Sequence, residues 1–396
     1  MKKSVLFLAL TGALASTVQA DTTVTLYGVV DGGIGVTDQS IRVDGESVWA
    51  KRTIGVRSGV QAGNRWGLRG QEDLGNGTSA IFQLESGFDL NDGTSLQGGR
   101  LFGRRAVVGL TSDSWGTVTI GRQYPVADDF IAKLDPFGIS YSQASFTRTF
   151  ADSVGVRRDN VIKYLSPSFS GFSFGVSLIA DDTQNYTSTT NDVKTRNTAV
   201  GVGFGYKNDP IMLGAAYDYE RNKQTVNGMT NPRYNKSMSS WVFGGTYDFE
   251  VVKLHLIYGQ QHNGVISGNF GPVTNILFKE TPNFAGYNFN TRGVRMQSWL
   301  AGLSKRLEGG SRVMFSYQGS RIKHADLAVP TGKADIGTVR VNSHIWSVAY
   351  VHALSKRTSI YTVGSYGEFK AKFGTAGAQR AKLKSTEVVL GLNHRF

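Results

Sequence analysis

Apolar and polar residues alternate with period two along most of the chain. In the last segment Val388, Leu390, Leu392, His394 and Phe396 share one face, and Glu387, Val389, Gly391, Asn393 and Arg395 the other. That is a strand with one face toward an apolar medium. Phe172, Phe174, Val176 and Leu178 alternate with Ser173, Gly175 and Ser177 in the same way, and Trp241, Phe243, Tyr247 and Phe249 with Val242, Gly244, Thr246 and Asp248. A soluble sandwich also alternates. Segments of about ten residues with aromatics near their ends predict a membrane barrel instead.

Connections alternate too. Tight turns are predicted at Glu72 to Gly77, Lys207 to Pro210, Leu307 to Gly310 and Ala353 to Lys356, and longer polar stretches near 37–59, 124–150, 181–195, 221–237, 263–293, 323–340 and 371–384. Short turns on one side and long loops on the other suit a chain crossing one bilayer repeatedly. About sixteen strands are expected, the first starting near Thr23, the second near Val60 and the fourth near Leu101. Sixteen strands enclose an aqueous lumen. The fold expected is all-β: a 16-stranded antiparallel transmembrane barrel with short periplasmic turns and long extracellular loops.

Residues 1–20 read as a cleaved export signal, with Lys2 and Lys3, an apolar run from Val5 to Ala15, and Val18-Gln19-Ala20 before Asp21. Residues 21–396 then form one barrel domain. With no cysteine among 396 residues, neither disulfides nor thiolate metal sites hold the fold. The formal charge of +13 would suit a nucleic-acid binder if it were clustered. The basic residues are dispersed and export removes that partner, so no nucleic acid is expected.

Candidate chemistry concentrates around the connection from Gln123 to Arg148, which carries Asp128, Asp129, Asp135 and Pro136-Phe137-Gly138. A long connection of this kind is either a loop folded into the lumen or an ordinary surface loop. Arginines gather in the strands beside it. If Trp66 and Leu68 face lipid, parity sends Arg65 and Arg69 inward, and a lipid-facing arginine near midplane costs about 2 to 4 kcal/mol. Parity also turns Arg105 inward and Arg104 outward unless Arg104 sits at a strand end, and an inward Arg122 needs a bulge or the end of its strand. Lys163 reads either as a further rung or as an exposed strand lysine. No nucleophile elbow or phosphate-binding glycine loop occurs, and the six histidines lack ligand spacing. Neither an enzyme nor any cofactor or metal is expected.

The chain resembles the general porins of Gram-negative bacteria, most closely the trimeric porins of β-proteobacteria. Four segments carry the likeness: Leu26-Tyr27-Gly28-Val29-Val30-Asp31; Arg65-Trp66-Gly67-Leu68-Arg69-Gly70-Gln71-Glu72-Asp73-Leu74-Gly75-Asn76-Gly77; Gly121-Arg122-Gln123-Tyr124; and Arg158-Asp159-Asn160-Val161-Ile162-Lys163-Tyr164-Leu165-Ser166-Pro167. A last strand ending in Phe396 completes them.

The resemblance implies a homotrimer whose third loop folds inward as a constriction. It assigns Arg65, Arg104 or Arg105, Arg122, and Arg157 or Arg158 to a basic wall, and Asp128, Asp129 and Asp135 to the acidic loop facing it. Phe396 becomes the signal read by the outer-membrane assembly machinery. Many relatives carry a Glu within the loop's turn, whereas here Phe137 follows Pro136 directly, which tilts the eyelet toward positive charge. The function expected is passive diffusion of small hydrophilic solutes, anions preferentially, with lipid and lipopolysaccharide around the barrel. The rivals are a solute-specific channel and a plugged barrel acting as an adhesin.

Overall fold

In a bilayer every backbone amide must find its partner within the protein, and a sheet meets that demand by closing on itself. The structure, a computed structural model, describes residues 22–150, 154–187, 191–226, 229–230, 236–263, 293–324, 337–373 and 379–396. The expected signal at 1–20, most of the stretch 263–293 and the middle of 323–340 lie outside them.

Sixteen wall strands run in chain order: β1 (Thr22–Val43), β2 (Glu46–Ser58 continued by Arg65–Asp73), β3 (Thr78–Gly87), β4 (Arg105–Ser112), β5 (Gly116–Gln123), β6 (Arg158–Leu165), β7 (Phe172–Thr187), β8 (Asn191–Asn208), β9 (Ile211–Val226), β10 (Lys236–Asp248), β11 (Lys253–His262), β12 (Val294–Arg306), β13 (Arg312–His324), β14 (Val339–Ala353), β15 (Thr358–Phe373) and β16 (Gln379–Arg395). Neighbours pair antiparallel, and β16 returns to β1 from Val29 opposite Arg395 to Val43 opposite Ala381. Beyond that register the Gly28 and Phe396 backbones exchange two hydrogen bonds, at 3.0 and 3.2 Å. The seam therefore closes on the last residue.

β2 differs from the other staves. Its two pieces both pair with β1, Glu46–Ser58 along the upper half and Arg65–Asp73 along the lower. Residues 59–64 leave the ladder between them, with Gly59 at φ +67° supplying the bend. This corrects the start expected near Val60: the strand begins at Glu46, after a turn in which Asp44 and Gly45 both have positive φ. The stretch 37–59, read as loop, is thus a long paired hairpin. Much of 181–195 is paired as well, up to Thr187 and again from Asn191. Above the membrane both faces of a strand are wet, so alternation fades while the backbone ladder persists.

The two faces of the wall differ. Ile34, Val108, Ile120, Phe204, Phe243, Val348 and Leu390 are among the large apolar side chains exposed on the outside, which no water-soluble surface would carry as a continuous belt. Trp299, Tyr317, Trp346 and Tyr366 lie on that same outer face, with Tyr317 opposite Trp346 and Trp346 opposite Tyr366 in register. The inner face carries Ser177, Ser298, Ser316, Gln318, Ser347 and Ser365.

Candidate constriction site

From the end of β5 the chain turns into the barrel rather than out of it. Helix α1 (Val126–Ile131) and three single 3₁₀ turns, the last at Phe146–Arg148, carry residues 124–150 across the lumen. Loop residues Ala127, Ile131, Leu134, Phe146, Phe150 and Val154 pack against Ala216, Val242, Ile257 and Leu300 of the wall. Farther along, Phe137, Tyr141 and Ala144 pack on Met314, Ala349, Tyr361, Val363 and Val389. Apolar inner-wall positions on β9 to β16 are where this loop docks.

Polar pins fix it at intervals. His255 Nδ1 meets the Leu134 carbonyl at 2.8 Å. Gln318 Nε2 donates to the Ala144 and Ser145 carbonyls at 2.9 and 3.1 Å, and the Thr149 hydroxyl donates to Gln318 Oε1 at 2.7 Å. Ser142 donates to Glu387 at 3.0 Å, and Arg312 to the Tyr141 hydroxyl at 3.0 Å. At the loop's beginning Lys163 bonds Asp129 at 2.8 Å and the Tyr124 carbonyl at 3.2 Å. Lys163 is therefore a buried anchor, neither an exposed lysine nor an open rung.

The excursion 59–64 of β2 meets the loop from the opposite side, where the Tyr141 amide donates to the Val60 carbonyl at 2.6 Å. Buried Asp31 of β1 shapes this excursion. Its Oδ1 accepts the Val60 amide at 2.8 Å and the Tyr361 hydroxyl at 2.9 Å, and its Oδ2 accepts Asn393 Nδ2 at 2.8 Å. Asn64 returns the favour by accepting the Asp31 amide. Asp31 stands in the first of the four segments that carry the family likeness, which implies no site role for it. The available signal was a carboxylate at an inward position of an otherwise glycine- and valine-rich strand.

Between excursion and loop lies a cavity of about 420 Å³, lined by Val60, Gly63, Arg65, Arg104, Tyr124, Asp128, Arg148 and Arg157 among others. Arg65 and Arg104 share Glu85, at 3.8 and 2.7 Å. The Arg157 guanidinium lies over the Tyr124 ring, 4.3 Å from its centre, and its buried Nε has no hydrogen-bond partner. Burial pulls the Arg157 pKa down to about 10, which still leaves it charged at neutral pH. Asp128 is the carboxylate on the lining. It accepts the Gly155 amide at 2.8 Å, and burial pushes its pKa up to about 6.

Parity and partners place the other expected residues around that lining: Arg104 stays on it and most of the others leave it. Arg104 sits just ahead of β4, outside the strand's parity, and points inward, as the strand-end exception allowed. Arg105 bonds Gln83 at 2.7 Å on the same inner face. Arg122 does not line the cavity: its Nε donates to the Gly103 carbonyl at 2.7 Å and its guanidinium pairs with Asp159. The register shift beside Gly121, at φ +131°, accompanies that turn away. Arg158 is held by Glu220 at 3.0 Å in a separate small niche with Asp218. Asp135 is buried inside the loop, accepting the amides of Phe137, Ile139 and Phe146, and Asp129 is taken by Lys163. Of the three expected acids, Asp128 is the one that lines the cavity. Arg148, which had not been singled out, joins the lining with its Nε donating to Ser142 O at 3.0 Å.

The profile of the Gram-negative porins matches residues 6–372. The chain belongs to the Gram-negative porin family. Over 408 aligned residues the porin is 36% identical to an outer membrane porin protein of Bordetella pertussis, with all of both chains covered. It is 28% identical to outer membrane porin protein 32 of Delftia acidovorans, again with full coverage of both. Among solved structures, the anion-selective porin from Comamonas acidovorans superposes with a TM-score of 0.61 at 24% identity, covering 95% of this chain and 100% of that one. The OmpF of Salmonella typhi superposes at 0.57 with 16% identity, covering 94% and 97%. At those identities the structures speak to the fold, a closed 16-stranded barrel. The porin is an outer-membrane channel.

Proposed function

We infer that this porin passes small hydrophilic solutes by diffusion and prefers anions, its filter being the cavity ringed by Arg65, Arg104, Arg148 and Arg157. The charge balance of that lining carries the reading. Four guanidiniums face one carboxylate on the lining, and Glu85 behind it, shared by Arg65 and Arg104, offsets one more, so the ring stays net positive while Asp129 and Asp135 are taken up elsewhere. Charged groups at a narrow, partly dehydrated passage lower the barrier for counter-ions and raise it for co-ions. The Comamonas neighbour's anion selectivity agrees with the same sign.

Under this reading residues 1–20 are removed on export, three copies assemble, lipopolysaccharide of the outer leaflet surrounds the barrel, and Phe396 serves as the assembly signal. Its exposed ring lies over Gly28, where a Cβ would collide with it, so the terminal aromatic also needs a glycine beside it. The test is single-channel recording in a planar bilayer under a salt gradient. Conductance in steps of three with an anion-directed reversal potential supports the reading. A cation-directed potential removes the arginine filter, and no conductance removes the open channel.

The unpartnered Nε of Arg157 favours a second reading, in which the same cavity binds a particular carboxylate-bearing solute. Saturable flux of such a solute would favour it over free diffusion.

A further inference from the structure

The outer face of β12 to β16 carries a ladder of cations. In direct register across these five strands stand Arg295, Lys323, Arg340, Lys372 and Arg380, each opposite the next. All five are exposed on the lipid-side parity, while their inward neighbours such as Val294, Ile322 and Ala371 are buried. Two residues lower, Lys370 stands opposite Lys382, and both bond the Glu368 carboxylate at 2.5 and 2.6 Å. Glu368 is the one acid on this part of the outer face among the described residues.

Like charges directly opposite each other on a sheet destabilise it, and the upper row contains four such pairs in succession. A soluble edge strand uses lysine to block aggregation, but a closed barrel has no edge to protect. The depth of the rows points to the partner. The lower row stands four residues, and the row of five six residues, beyond the ring of Tyr317, Trp346 and Tyr366. At roughly 3.3 Å per residue and a strand tilt near 40° they lie about 10 and about 15 Å above that girdle, in the polar layer outside the hydrocarbon. The end is the one opposite the tight turns, hence the cell exterior.

We propose that this ladder is a binding site for the phosphate groups of the outer-leaflet glycolipid, lipopolysaccharide, and that its cations take the place of the divalent metal ions that otherwise bridge those phosphates. Strands about 4.8 Å apart set the five charges over a front of roughly 19 Å, wide enough to engage several phosphates, and Arg supplies the paired donors that match phosphate oxygens. This deepens the outer-membrane reading by naming the lipid contact and does not depend on the filter's selectivity.

The folded porin in uncharged detergent with EDTA is to be titrated with purified lipopolysaccharide, following its thermal unfolding and the bound phosphorus. Wild type should gain stability and bound phosphorus without any divalent ion. The Arg340→Gln, Lys372→Gln double variant should unfold at a higher temperature than wild type when lipid-free, because two repelling charges are gone, and should bind the glycolipid about thirtyfold more weakly. Equal binding by both proteins would overturn the proposal, as would binding that appears only when magnesium is added, or an identical shift with inorganic phosphate or with dephosphorylated lipid. Bilayer conductance of the double variant should match wild type. Loss of conductance in both proteins would count against the channel reading alone, and the lipid titration would stand apart from it.

Discussion

Single side chains decide what the cavity repels. Arg157 and Arg65 lie on its lining, so Arg157→Ala and Arg65→Ala should each move the reversal potential toward zero by several millivolts, and the pair should do so more than either alone. Asp128 gives the pH dependence. Burial lifts its pKa to about 6, so the carboxyl is charged at pH 7.5 and neutral at pH 5. Protonation removes a negative charge from a positive lining, so anion preference should strengthen as pH falls through about 6. Reversal potentials across that range should show the change in wild type and a flat response in Asp128→Asn. A pH response that persists in the variant would assign it to another group. Parity from the sequence placed Arg65 inward because Trp66 and its neighbours form a regular strand. It had no purchase on Arg104, which precedes the strand, or on Arg122, beside the Gly121 irregularity. The three acids looked alike in sequence, yet the backbone amides that claim Asp135 belong to turns that no spacing announces.

Among the elements, the loop 124–150 and the excursion 59–64 depend on each other. Asp31→Ala would leave the Val60 and Gln61 amides, the Tyr361 hydroxyl and Asn393 without their shared acceptor. A buried carboxylate with this many donors should cost about 3 kcal/mol or more when removed, visible as a lower unfolding midpoint. Released from Asp31, the excursion no longer holds the Tyr141 amide, so single-channel conductance should rise and anion preference fall. Gln318→Ala, which frees the Ala144 and Ser145 carbonyls and the Thr149 hydroxyl, should leave the barrel folded but add flicker to the open-channel current. Steady current in that variant would mean the apolar packing alone fixes the loop. The strands were legible where bilayer enforces alternation. The upper hairpins, such as β1 with β2, look like loops in the sequence because water on both sides erases the two-residue period while leaving the hydrogen bonds intact. The broken stave at 59–64 was hidden for a related reason: its polar and glycine residues resemble an ordinary strand start.

For the molecule as a whole, sixteen staves and the direction of the inward loop followed from counting segments and from family likeness, but the docking of that loop on β9 to β16 is a tertiary fact with no local signature. Closure rests on a small contact. Gly28→Val should drive a side chain into the Phe396 ring, lowering the yield of heat-resistant folded barrel in the outer membrane, and a strain carrying it should show more unfolded chain in the periplasm. Unchanged yield would mean the ring can swing aside without consequence.

The seam at Asp31 joins residues from the two ends of the chain, since Tyr361 and Asn393 belong to the last two strands and Asp31 to the first. The tip of the inward loop leans on β15 through Tyr361 and on β13 through Arg312, both in the last quarter of the chain. A half-built barrel therefore has no finished sieve, because the parts that hold it arrive last. Selectivity in this porin is acquired at the moment of closure, and an insertion arrested one strand short would leave an indiscriminate leak where a filter should be.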